Sequence, residues 1–119
     1  MLIDNEDLKE VKEIFHGFPV EAKRVLKYGY WTGCITVPVD HPWSISDKAI
    51  EVHGGVTFYK KTNKGVIVGF DCAHFGDALP QWAARSQMDY GEYRDIHFVL
   101  DELKELAKQA KQTSNKIMD

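Results

Sequence analysis

The feature that most constrains this chain is a one-sided apolar stripe near its C-terminus. Ile96, Val99, Leu100, Leu103, Leu106, Ala107 and Ala110 recur at three- and four-residue spacing, so an α-helix over about 93–111 gathers them on one face. Asp101, Glu102, Lys104, Glu105 and Lys108 fall on the other face, which has the character of a solvated surface. Such a helix has to bury its stripe, and the rest of the chain has to supply the surface that receives it. With 119 residues, 44% of them hydrophobic and 28% charged, there is material for one compact core without a disulfide or metal staple.

Strands are the expected receiving surface. Residues 20–26 and 30–37 are rich in β-branched and aromatic side chains and flank Lys27-Tyr28-Gly29, which predicts a hairpin. Pro38, Asp40, His41 and Pro42 end it, and 44–50 has room for one helical turn. A second hairpin joins 56–60 to 65–71 through a three-residue turn, Thr62-Asn63-Lys64, followed by Gly65 as the left-handed residue of a bulged loop. That register puts Val56, Phe58, Val66, Val68 and Phe70 on the core face and His53, Thr57, Tyr59, Ile67, Gly69 and Asp71 on the other.

At the N-terminus, Leu8, Val11, Ile14 and Phe15 share one face of a short helix over 4–15, with acids in its first turn and Gly17 and Pro19 stopping it. The expected architecture is α+β: a four-stranded antiparallel sheet, a C-terminal helix packed on one face and a short N-terminal helix. Residues 1–112 form a single domain in this scheme, and 113–119 a frayed tail. The sheet is either completed within one chain or shared between two. Tyr59, Ile67, Trp31 and Ile35 are expected on the face away from the helix, enough apolar surface to predict a homodimer or larger homo-oligomer.

Charge and leader signals narrow the setting. Fifteen Lys and Arg against 18 Asp and Glu leave a net charge of −3, so no global field holds nucleic acid by counterion release, and none is expected as a partner. No apolar run approaches the roughly 18 residues of a membrane span. The acidic start, MLIDNEDLKE, lacks the basic and apolar regions of a secretory signal, so a cytoplasmic location is expected. Cys34 and Cys72 are then small buried hydrophobes in preference to a disulfide.

Two segments carry unusual chemistry, VHGGVTF at 52–58 and GFDCAHFGD at 69–77. The expected register brings His53, Asp71, His74 and Asp77 to one end of the second hairpin, while Gly54, Gly55 and Gly69 remove side chains around them, as where a ligand approaches backbone. Each residue also has an ordinary use: the glycines as a bulge, the histidine as a satisfied half-buried group, the aspartates as turn caps. His41 is expected as an exposed turn histidine, His16 as a helix C-terminal partner and His97 as structural.

The four-residue cluster admits two chemistries. It offers mixed nitrogen and oxygen ligands for a divalent ion, though its spacing matches no established zinc or magnesium pattern. Alternatively it lines a ligand pocket, with no cofactor and no tightly bound metal. Cys72 alternates to the core side and is not expected to act as a nucleophile. The following stretch, 78–94, carries Trp82, Arg85, Tyr90, Tyr93 and Arg94, a composition suited to stacking a planar base and forking onto phosphate in a lid or binding loop. Trp82 and Tyr93 serve equally well as caps on a small core.

With VPVDHPW, VHGGVTF, GFDCAHFGD and the YRD-initiated helix in view, residues 16–107 resemble a group of small proteins that recur in phages and prophages. In these, an HGG-[IV]-T strand precedes a GFDCAHxGD strand end and a C-terminal YRD helix. His53, Gly54, Gly55, Asp71, His74, Asp77, Tyr93 and Arg94 occupy the matching positions. Val39, Asp40, His41 and Pro42 fit their segment loosely, and 43–51 departs from it.

The resemblance implies a phage accessory protein of the kind that counters bacterial defence. Several such proteins sequester nucleotide immune signals, including cyclic ADP-ribose derivatives and cyclic oligonucleotides. The leading expectation is therefore binding without turnover, by His53, Gly54, Gly55, Asp71, His74, Asp77, Trp82, Arg85, Tyr93 and Arg94, in the host cytosol. The alternatives are a divalent-metal hydrolase of a phosphoester-type bond using His53, Asp71, His74 and Asp77, and a protein inhibitor acting through Trp31, Trp43 and Trp82.

Overall fold

A computed structural model describes residues 9–25, 29–72 and 94–118, with α-helical side chains as far as 114. Its frame is one antiparallel sheet of five strands: β1 (Glu10–Phe15), β2 (Phe18–Val25), β3 (Tyr30–Val37), β4 (Phe58–Thr62) and β5 (Gly65–Asp71). Their order is β1-β2-β3-β5-β4, and helix α1 (Ile96–Met118) lies across one face. The α+β class, the antiparallel pairing and the helix-covered face agree with the sequence patterns. The strand count and the N-terminal helix do not.

The described part of that expected helix, from residue 9 on, leads into and forms β1. Its apolar residues satisfy two periods at once, and a turn decides between them. His16 and Gly17 have φ of +51° and +86°, the paired positive values of the tight hairpin turn whose twist matches its flanking strands. The turn joins Phe15 to Phe18 and pairs Val11 with Ala22 and Glu13 with Val20. Gly17, read as a helix stop, therefore serves a hairpin, and His16 is a turn residue.

The core forms where alternating residues of β2, β3 and β5 meet the α1 stripe. Val20, Ala22, Trp31, Ile35, Val37, Val66, Val68, Phe70 and Cys72 are buried against Ile96, Val99, Leu103, Leu106, Ala107 and Ala110. Trp31 and Ile35 thus lie beneath the helix at zero exposure, which corrects their expected place on the open face. Gly33 makes the central notch: a Cβ there would come within 2.7 Å of the Phe70 ring and 3.2 Å of Val99. Asp95 caps α1 by accepting from the Phe98 N–H at 3.0 Å, and the helical backbone continues past 111 to Met118.

The β4–β5 turn also differs from expectation. Thr62 pairs directly with Gly65, and the Thr62 hydroxyl accepts from the N–H groups of Lys64 and Gly65 at 3.2 and 3.1 Å, making a two-residue turn. Relative to the expected three-residue turn, the register moves by one, which exchanges the faces of β4. Phe58 now pairs with Gly69 on the open side and is 49% exposed, while Tyr59 pairs with Val68 on the core side. Val56 still packs against the core, from the irregular stretch before β4. No helix among the described residues is long and apolar enough to cross a membrane.

Candidate functional site

The segment between β3 and β4 positions both described histidines of interest. It leaves β3 at Pro38 and makes a single 3-10 turn at Pro42–Ser44, in place of a turn later in 44–50. His41, expected in solvent, is 3% exposed. Its Nδ1 accepts from the Trp43 N–H at 3.0 Å and its Nε2 lies 2.8 Å from the Ala110 carbonyl, which fixes the neutral tautomer with hydrogen on Nε2. The ring also packs edge-on against Phe18 and Trp43, at 5.9 and 5.0 Å. Tyr59 donates to the Trp43 carbonyl, closing a polar chain from α1 through the loop to β4. Burial, then the charge of Asp47, pushes the Tyr59 phenol above its ordinary range. His41 is thus a structural clamp.

Residues 51–55 run along α1 as a strap. Gln109 holds the peptide of Glu51 twice, accepting from its N–H and donating to its carbonyl, both at 2.9 Å. Two turns earlier, Glu102 accepts from the His53 N–H at 2.8 Å. The strap then reverses through a turn closed by Gly55 N–H to the Val52 carbonyl at 2.9 Å, with Gly54 at φ +70° and Gly55 at +84°. Nothing lies within 4 Å of the position a Cβ would take on Gly55, so its glycine serves backbone conformation. At Gly69 a Cβ would meet the Gly33 carbonyl oxygen at 3.1 Å and Phe58 at 3.2 Å, so neighbouring strands occupy that space.

At the end of the strap, the His53 ring meets Phe98 edge-on, 4.9 Å between centroids. The Arg94 guanidinium lies 4.8 Å from the centroid of the same ring. His53, Arg94 and Phe98 are all half-buried. An imidazole and a guanidinium thus meet one aromatic ring at the first turn of α1, the guanidinium within cation–π range of it.

Asp71 is placed differently. It pairs with Thr32 and projects with Ile67 and Gly69 from the open face, whereas His53 is docked on the helix that covers the opposite face. His74, Asp77, Trp82, Arg85 and Tyr93 lie outside the described residues. Among the described residues, no group of three or more His, Cys, Asp or Glu side chains is arranged to hold a metal ion. Trp31 and Trp43 are 0% and 2% exposed, so neither is the surface aromatic that the inhibitor alternative requires.

Phe98 and Glu102 were not singled out as functional in the sequence. Their available signal was an aromatic residue off the main helical stripe and an acid two turns from a glutamine. The open face itself carries a shallow groove of about 670 Å³, lined by Lys12, Ile14, Pro19, Glu21, Cys34, Thr36 and Ile67. Burial, and next the charge of Glu21, raises the Cys34 thiol above its usual range, which disfavours a thiolate nucleophile there. No family model, curated protein or solved structure matches the chain.

Proposed function

We propose that the protein binds and sequesters an anionic, nucleotide-derived ligand, at a site built on the His53–Phe98–Arg94 cluster. The supporting observation is that two residues singled out from separate motifs, His53 and Arg94, meet the same Phe98 ring. The aromatic ring suits a planar base, and the histidine and arginine suit phosphate oxygens. Gly54 and Gly55 shape the turn that presents His53. His74, Asp77, Trp82, Arg85 and Tyr93 would complete the site, whereas Asp71, on the open face, is left out of it. In this reading the protein is a phage-type accessory factor in the host cytosol that removes an immune signal such as a cyclic ADP-ribose derivative or cyclic oligonucleotide.

The test is a thermal-shift panel of cyclic ADP-ribose isomers, cyclic dinucleotides and cyclic trinucleotides. A true ligand at about 100-fold above its dissociation constant adds about 2.7 kcal/mol of stability. Arg94→Ala should lose the shift while melting normally without ligand, and heating the complex should return the ligand intact. No shift with any member, together with no small molecule released on denaturation, would overturn the reading. Metal-dependent cleavage of a member would replace it with the hydrolase.

A further inference from the structure

Among the described residues, β1 and β4 are the two edges of the sheet, and they are charged in different ways. On β1, Lys12 pairs with Glu10 at 3.3 Å, and their cross-strand neighbours on β2, Glu21 and Lys23, pair with each other at 3.0 Å. This edge is a neutralised checkerboard. The other edge, β4, carries Lys60 and Lys61, with Lys64 in the adjoining turn, and all three are exposed. Among the described residues none of the three has an ion pair or hydrogen-bonded acid. A chain of net charge −3 therefore concentrates unpaired positive charge on one strand edge.

Geometry adds to charge. An edge strand presents a row of unpaired N–H and C=O groups, onto which an extended segment can add. Along β4, Phe58 and Lys60 face the open side of the sheet and Tyr59 and Lys61 the helix side. An added strand sends alternate side chains to the two faces, so acids of either parity would meet a lysine. Phe58, 49% exposed at the start of the strand, supplies an apolar anchor on the open face.

We propose that β4 is a docking edge for an acidic, extended segment of a partner protein, which adds to the sheet as a further strand. Backbone pairing provides the affinity, and Lys60, Lys61 and Lys64 select acidic sequence. This interaction is separate from the ligand site at His53 and Arg94 and does not rest on it.

The probe is a fluorescein-labelled eight-residue peptide of glutamate, threonine and valine, with glutamates at both parities, followed by anisotropy with the full-length protein. Two comparison peptides carry lysine in place of glutamate, or the same sequence with alternate backbone nitrogens methylated. Binding of the acidic peptide is expected, weakened at least tenfold by the Lys60→Glu/Lys61→Glu double substitution and by backbone methylation, and unchanged by Arg94→Ala. The lysine peptide should not bind. Equal binding of the methylated peptide would show a simple polyanion surface and overturn strand addition, as would equal binding by the double variant. Absence of binding at millimolar peptide would overturn it too, leaving the lysines as guards against edge-to-edge aggregation. Melting curves of the double variant establish that it is folded.

Discussion

The two faces of the sheet are made by the same strands, yet residues of one type have very different surroundings on each. Ile35, on the α1 side, is fully buried, whereas Ile14, on the open side, keeps 70% of its surface accessible. Strand geometry and backbone pairing are shared by both faces, since side chains alternate along each strand. The difference is the cover: α1 brings Ile96, Val99, Leu103 and Leu106 onto one face. Parity in the strand, more than residue type, therefore sets what each side chain contributes to stability.

Matched substitutions test this most directly. Ile35→Ala and Leu103→Ala should each lower the unfolding free energy by about 2–5 kcal/mol in denaturant titration, against about 0.5 kcal/mol or less for Ile14→Ala. Lys104→Ala should cost only about 0.5–1 kcal/mol, through its contact with the Phe15 ring, centred 5.6 Å away. Equal losses at Ile35 and Ile14 would mean that the open face is covered in solution. Light scattering above the monomer mass at micromolar concentration would then identify a second copy as the cover.

A glycine pair sharpens the comparison at intermediate size. Gly33→Ala drives a methyl to 2.7 Å from the buried Phe70 ring and should cost about 1–3 kcal/mol. Gly69→Ala, on the open side, meets the Gly33 carbonyl oxygen at 3.1 Å and the Phe58 Cβ at 3.2 Å, a milder approach than that at Gly33, and should cost about 1 kcal/mol. Thermal or denaturant melts of the two variants decide it, and equal costs at both glycines would contradict the assignment of the faces.

The smallest effect concerns Cys34, which sits on the open face but is shielded enough for burial to raise its thiol. A folded value above the unfolded one means that its stabilising contribution is complete below the ordinary thiol range, near 9.0, and is lost as pH rises through the folded value. Melts of the native chain should therefore fall more steeply above pH 9 than those of Cys34→Ser. Rapid labelling of folded Cys34 by a thiol reagent at neutral pH would contradict this protection.

Much of the frame was legible because its patterns had one solution. The α1 stripe and the β5 alternation each match a single period, and Leu103, Leu106, Val66, Val68 and Phe70 are buried as expected, whereas β3 carries Trp31 and Ile35 on the face opposite to the expected one. Residues 8–15 were ambiguous because Leu8, Val11, Ile14 and Phe15 fit a helix while Val11 and Phe15 also fit one side of a strand. Thr62-Asn63-Lys64-Gly65 was ambiguous by a single residue, and that residue exchanged Phe58 with Tyr59. For the site, the motif residues His53 and Arg94 were visible, but Phe98 and Glu102 looked like ordinary helix positions until the strap was laid against them.

The sequence alone determined the α+β class, the helix and its buried stripe, because periodic burial is a local property that each segment carries in its own residue order. Tertiary structure decided the fifth strand, the register of β4 and the contrasting places of His41 and His53. Those depend on which turn closes and which distant carbonyl, carboxylate or ring is waiting: Ala110 for His41, Glu102 and Phe98 for His53. Such partners are far away in the chain, so local periodicity carries no trace of them.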